Sequence, residues 1–123
     1  MLKTKRILIV DDEEGLLVIL RQALEERGYE VATAANAIDA GIEISGNLPS
    51  LILMDIKMPG IDGFQACEAL KKNPKTKNVP IIVISALSDE SDIRKAKKIG
   101  IADYFVKPID IEKLIRRFNE IIS

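Results

Sequence analysis

Two uninterrupted apolar runs, Ile7-Leu8-Ile9-Val10 and Leu51-Ile52-Leu53-Met54, each end abruptly at an aspartate. Four large aliphatic residues in a row, with neither strict alternation nor helical spacing, fit a strand covered on both faces, as strands of parallel sheets are. That requirement restricts the chain to a sheet with helices packed above and below it. An acid at the carboxyl end of such a strand stands where open α/β sheets bind ligands. After Asp55, Pro59-Gly60 turns the chain, and Asp62 is placed to cap a helix.

The remaining segments alternate in type. Leu16, Leu17, Ile19, Leu20, Ala23 and Leu24 recur at helical spacing before Gly28, a C-cap residue. Tyr29 to Ala34 reads as a short strand, and Asn36 caps a weaker helix carrying Ile38, Ile42 and Ile44, which ends before the loop Asn47-Leu48-Pro49-Ser50. Phe64, Ala66, Cys67 and Leu70 mark a third helix, closed by Asn73-Pro74. Val79 to Ile84 is a fourth strand ending at Ser85-Ala86. Ser88-Asp89-Glu90-Ser91-Asp92 supplies a cap and an acidic first turn for a helix that stops near Gly100. With Ile93, Ala96 and Ile99 as its only apolar anchors, this helix is expected to be poorly amphipathic and loosely held. Ala102 to Val106 is the fifth strand, ending at Lys107-Pro108. Ile111, Leu114, Ile115, Phe118, Ile121 and Ile122 give the last helix a clear apolar stripe.

Five strands alternating with five helices, without repeat or linker, make one α/β domain over residues 1–123. Right-handed crossovers and one reversal of strand order give a flavodoxin-like, doubly wound five-stranded parallel sheet of order 2-1-3-4-5.

Composition excludes several chemistries. The chain has no histidine, which removes Ser/His and Cys/His nucleophile pairs and histidine-based zinc sites. Neither a GxxxxGK[ST] nor a GxGxxG loop occurs. A formal net charge of −1 argues against a direct nucleic-acid or membrane binder, and the basic runs Lys71, Lys72, Lys75, Lys77 and Arg94, Lys95, Lys97, Lys98 read as solvated faces. Cys67, the single cysteine, has no internal disulfide partner. With no signal peptide or membrane-length apolar stretch in the sequence, a cytoplasmic protein is expected.

What remains is carboxylates, hydroxyls and lysines, and four strands end in them: Asp11 with Asp12, Asp55, Ser85 and Lys107. Singly, each has an ordinary reading: helix-start acids, a loop acid, a strand-end hydroxyl, a turn. In the order 2-1-3-4-5 these four strands are neighbours, so the groups converge on one crevice. Two like charges about 4 Å apart repel by roughly 4 kcal/mol at an effective dielectric near 20, so three carboxylates need compensation. Lys107 supplies one positive charge, and a hard divalent cation held by oxygen ligands supplies the rest. Such a site brings a phosphoryl group to a carboxylate, and Asp55, ending the central strand, is the best nucleophile.

On these residues the chain resembles the receiver domains of two-component response regulators along its full length, in the manner of the single-domain chemotaxis regulators. The motifs are Asp11-Asp12, Asp55 with Met58-Pro59-Gly60 and Asp62-Gly63, Ser85-Ala86, and Tyr104 with Lys107-Pro108. The resemblance implies that Asp55 accepts the phosphoryl group. It also implies that Asp12, Asp55 and the Lys57 carbonyl ligate Mg2+, with Asp11 reaching it directly or through water. Lys107 would hold the phosphoryl oxygens beside a cis Lys107-Pro108 bond, Ser85 would hydrogen-bond the phosphoryl group, Ala86 would leave it access, and Tyr104 would swing inward as the switch. By the same resemblance Lys57 and Leu87 would stand at variable positions that tune phosphoryl lifetime.

The implied partners are a histidine kinase or phosphotransfer protein, needed because the chain has no histidine of its own, and a downstream protein reading the last two helices and the fifth strand. The implied role is a switch that assists its own phosphorylation and dephosphorylation, not an enzyme. The end at Ile121-Ile122-Ser123 fits both a stand-alone receiver and a receiver from a larger regulator. Two other classes fit less well. An aspartyl phosphohydrolase of related fold would carry a DxD pattern after the first strand and long cap insertions, whereas Asp11 and Asp12 are adjacent. A flavin carrier would need a hydroxyl-rich phosphate loop where Asp11-Asp12-Glu13-Glu14 stands.

Overall fold

The computed structural model describes residues 4–58 and 60–122. The element order is β1 (Arg6–Val10), α1 (Glu14–Glu25), β2 (Glu30–Ala34), α2 (Ala37–Gly46), β3 (Leu51–Asp55), α3 (Gly63–Lys72), β4 (Ile81–Ser85), α4 (Glu90–Ile99), β5 (Asp103–Val106) and α5 (Ile111–Ile122). The five strands form one parallel sheet, spatially ordered β2-β1-β3-β4-β5, as the alternation of elements requires.

Alternation along the buried strands builds two cores. Leu8, Val10, Ile52, Met54, Ile81 and Val83 point to the side covered by α2, α3 and α4, where they meet Ala40, Cys67 and Ala96. Ile7, Ile9, Leu51, Leu53, Ile82 and Ile84 point to the side covered by α1 and α5, where Leu20, Leu24, Leu114, Ile115 and Phe118 close over them. A continuous apolar run is therefore the sum of two interleaved stripes, each about as buried as the other. β5 is an edge strand with no fully buried residue, and correspondingly it has no such run.

The expected caps are mostly present. Asn36 accepts a hydrogen bond from Asp39 N at 2.9 Å, and Asp62 accepts from Phe64 N and Gln65 N at 3.0 and 3.3 Å. Gly28 and Gly100 take the left-handed conformation, with φ of 87° and 105°. The start of α4 differs from expectation. Its N-cap residue is Asp89, which makes no side-chain capping bond, although the acidic first turn of Glu90 and Asp92 is in place. α4 is also better anchored than its composition implies: Ala96 is buried, and Ile93 and Ile99 are half-buried along the same side, while the charges face outward. Small residues at the contact point allow close helix packing that hydrophobicity alone does not reveal.

Between Asp55 and α3 the chain forms a short antiparallel ladder, Lys57–Met58 against Ile61–Asp62, where the sequence indicated a plain turn. Gly60 turns at its tip with φ of 73°. Pro59, the other residue expected there, lies outside the described residues, as does Ser123. Among the described residues no helix is long and apolar enough to cross a membrane. Cys67 is buried, and burial pushes its thiol up to about 11, so it is an unreactive core side chain.

Candidate functional site

The parallel register brings the carboxyl ends of β1, β3 and β4 level, with Val10 beside Met54 and Asp55 beside Ile84. The residues that end or follow these strands therefore share one edge of the sheet. Asp11 is fully buried, Asp55 is 3% exposed and Ser85 is fully buried. Lys107 joins them because its backbone N–H extends the ladder, donating to the Ser85 carbonyl at 2.8 Å.

Carboxylate oxygens of Asp11, Asp12 and Asp55 lie within 4.8 Å of one another. Asp12 is exposed at the rim while the other two are enclosed. The Lys107 ammonium stands 2.9 Å from Asp11 Oδ2 and 3.1 Å from Asp55 Oδ2, with Glu13 Oε1 at 3.9 Å. Backbone amides satisfy the other oxygens: Glu13 N donates to Asp11 Oδ1 and Lys57 N to Asp55 Oδ1, each at 2.9 Å. Asp11 Oδ2 is ion-paired with Lys107 at 2.9 Å and meets no further donor. A buried carboxylate oxygen with a single ammonium shared between two acids has capacity for a further cationic partner.

The charges shift one another accordingly. Burial raises the Asp55 carboxyl above its usual range; the Lys57 amide and Lys107 oppose this, and the nearby Asp11 charge adds to it. For Lys107 burial acts downward, but its contacts with Asp11 and Asp55 outweigh that and leave the ammonium above its ordinary value. One lysine thus balances two enclosed carboxylates incompletely. The under-coordinated Asp11 oxygen, the all-oxygen donor set and the surplus negative charge together fit a hard divalent cation.

The hydroxyl groups behave differently from the acids. Ser85 Oγ accepts from Leu87 N at 3.1 Å, and Tyr104 Oη donates to the Leu87 carbonyl at 2.8 Å. Both therefore grip one residue at the start of the segment leading into α4. The Tyr104 side chain packs with the core beneath α4, as alternation along β5 requires, and Lys107 enters the crevice on the other side. The Lys107-Pro108 peptide bond is cis, as the resemblance implied.

All the strand-end residues singled out in the sequence thus meet at one edge. Glu13 was read only as a helix-start acid, yet it faces Lys107; the run Asp11 to Glu14 carried that signal. Leu87 was read as a variable neighbour of the site. Its backbone is the common partner of Ser85 and Tyr104, which no side-chain pattern could reveal.

The domain is thus an open parallel sheet with an acidic, lysine-bridged crevice at its carboxyl edge. The chain belongs to the response regulator receiver domain family, whose model matches residues 7–119. It is 37% identical over 118 residues to the protein PilH of Pseudomonas aeruginosa, covering 96% of this chain and 98% of that protein. It is 36% identical over 117 residues to the phosphate regulon transcriptional regulatory protein PhoB of Rhizobium meliloti, covering 95% of this chain but only 52% of that regulator. The crystal structure of a response regulator signal receiver domain from Bermanella marisrubri superposes with a TM-score of 0.89 at 31% identity, covering 98% of this chain and all of that one. The chain is a receiver domain of two-component signalling with the CheY-like fold.

Proposed function

We propose that the domain is switched by transfer of a phosphoryl group from a partner's phosphohistidine to Asp55. The observation that carries this is the enclosed Asp55 carboxylate, flanked by Asp11 and Asp12 and touched by Lys107 at the end of the central strand. In the transfer an Asp55 oxygen attacks phosphorus in line, the bond from phosphorus to the imidazole nitrogen breaks, and an acyl phosphate forms. Asp12, Asp55 and the Lys57 carbonyl, with Asp11 directly or through water, would hold Mg2+, which would supply positive charge to offset the negative charge of the phosphoryl group. Lys107 is already directed at Asp55 and takes up the phosphoryl oxygens. The chain supplies no donor histidine, so the donor is a histidine kinase, a phosphotransfer protein or a small acyl phosphate. The domain assists its own phosphorylation and dephosphorylation without being an enzyme for other substrates, and its setting is the cytoplasm.

Ligand and phosphate roles separate by titration. Asp12→Ala is expected to weaken Mg2+ binding by roughly tenfold or more, since a charged oxygen ligand is lost. Lys107→Ala removes a competing positive charge, so it is expected to bind Mg2+ at least as tightly as wild type while being phosphorylated more slowly. Unchanged Mg2+ affinity in Asp12→Ala contradicts the assignment of that carboxylate.

The signal leaves through Leu87. When the phosphoryl group draws the Ser85 hydroxyl toward itself, Leu87 N loses its acceptor, and the loop held by Tyr104 is freed to take another position. Each tenfold preference of the phosphoryl group for the rearranged state shifts the equilibrium by about 1.4 kcal/mol. The surface formed by α4, β5 and α5 would then present a changed face to a downstream protein. Ser85→Ala and Tyr104→Phe are expected to be phosphorylated on Asp55 yet to show at most about half the wild-type change in amide exchange across α4, because each lacks one of the two Leu87 hydrogen bonds. A full response in both variants rejects this route and leaves Asp55 as acceptor.

A further inference from the structure

The two basic runs that looked like separate solvated faces in the sequence come together in space. Lys71 and Lys72 from the last turn of α3 and Lys95 and Lys98 from α4 line one depression of about 480 Å3 between the helices, with Ile99 in it and Glu68 as the only acid lining it. Three of the four ammoniums are held in place. Lys71 donates to the carbonyls of Lys77 and Val79 at 3.3 and 3.2 Å, Lys72 pairs with Glu68 at 2.8 Å, and Lys95 sits 4.3 Å from the centre of the Phe64 ring. An ammonium has three donors, so each holds capacity for a further acceptor. The cluster is a local excess of positive charge in a chain whose net charge is −1.

We propose that this groove docks an acidic protein segment that carries an apolar side chain among its carboxylates. Charge complementarity requires an anionic occupant, and the chemistry of the groove selects which kind. Its lining among the described residues offers lysine point charges and no guanidinium fork to grip a single compact anion. Dispersed lysines along two helices instead match carboxylates dispersed along a peptide. Ile99 and the lysine stems offer an apolar floor for one hydrophobic residue between them. Partial fixation of three lysines reduces the ordering cost of binding. The groove lies between α3 and α4, on the α3 side of the surface formed by α4, β5 and α5.

The test uses fluorescence anisotropy with a labelled synthetic peptide of alternating Glu and Asp residues around a central Leu, at near-physiological salt. The comparison variants are Lys72→Glu/Lys98→Glu, the milder Lys72→Gln/Lys98→Gln, and Lys113→Glu/Arg116→Glu on α5, which changes net charge equally elsewhere. Circular dichroism confirms that each is folded. The expected result is a loss of at least tenfold in affinity for the Glu pair, a smaller loss for the Gln pair, and a change under twofold for the α5 control. Replacing the central Leu by Ser is expected to weaken binding several-fold. Equal losses in the α3/α4 and α5 variants, no saturable binding of the peptide, or tighter binding of a DNA duplex of equal charge that is lost in the same lysine variants would each overturn the proposal.

Discussion

Asp55→Asn is expected to lose phosphoryl transfer by roughly 10^4-fold or more, the scale on which deleting a nucleophile acts. An amide oxygen is a poor nucleophile, and no other carboxylate in the crevice has Asp55's position. Asp11 is enclosed with its oxygens committed to Glu13 N and Lys107, and Asp12 stands at the exposed rim. The same substitution carries a second, opposite effect. Because burial raises the Asp55 carboxyl, its folded pKa lies above its unfolded value near 4. The stability that Asp55 contributes is therefore complete below that unfolded value and is lost as pH rises through the folded one. An uncharged asparagine escapes that loss. Without metal, Asp55→Asn is expected to melt at or above the wild-type temperature at pH 7, with the difference shrinking toward pH 4. Added Mg2+ is expected to stabilise the wild type more than the variant, narrowing or reversing the order. Thermal unfolding at several pH values, with and without Mg2+, checks both signs.

Gly63→Ala is expected to destabilise the fold by about 3 kcal/mol, at the upper end of overpacking costs, and to lower Tm by roughly 10 °C. Gly63 opens α3 and donates its N–H to the Ile56 carbonyl at 3.2 Å. A Cβ added there would stand 2.5 Å from that oxygen and 2.8 Å from the carbonyl carbon, closer still to Ile56 Cα. The obstacles are backbone atoms, so relief requires moving the Asp55-to-α3 connection itself. That connection holds the Lys57 amide against Asp55, so the surviving folded protein is also expected to accept phosphate more slowly. Denaturant unfolding and phosphorylation rates measure the two effects. A variant as stable as wild type would contradict the close approach.

Both residues show what a sequence can and cannot disclose. Asp55 was legible because a buried strand ending in an acid is a conflict visible locally, the first strand repeats it at Asp11, and two further strands end in a hydroxyl and a lysine. The strand order followed from alternation and crossover handedness, and the two cores from the lengths of the apolar runs. Gly63 was legible as part of a motif, but its reason is not. A contact with the backbone of Ile56 is a distance in space, and no pattern encodes it. The same holds for the Lys57–Met58 and Ile61–Asp62 ladder, whose two-residue strands are too short to show a period. It holds again for the lysines of α3 and α4, which are separated in the chain and joined only by helix packing. α4 was underestimated because Ala96, a small residue in a charged sequence, contributes by letting helices approach and not by its own apolar area.

The central claim is that Asp55 receives the phosphoryl group in a metal-dependent reaction. Incubation of the wild-type domain with acetyl phosphate and Mg2+, followed by borohydride reduction and peptide mass mapping, tests it most directly. Reduction converts an aspartyl phosphate to homoserine and so marks the acceptor. The account predicts one phosphoryl group per chain, homoserine at position 55 alone, and loss of the mark when Mg2+ is chelated. A mark on Asp11 or Asp12, or an equal mark at position 55 without Mg2+, would contradict it.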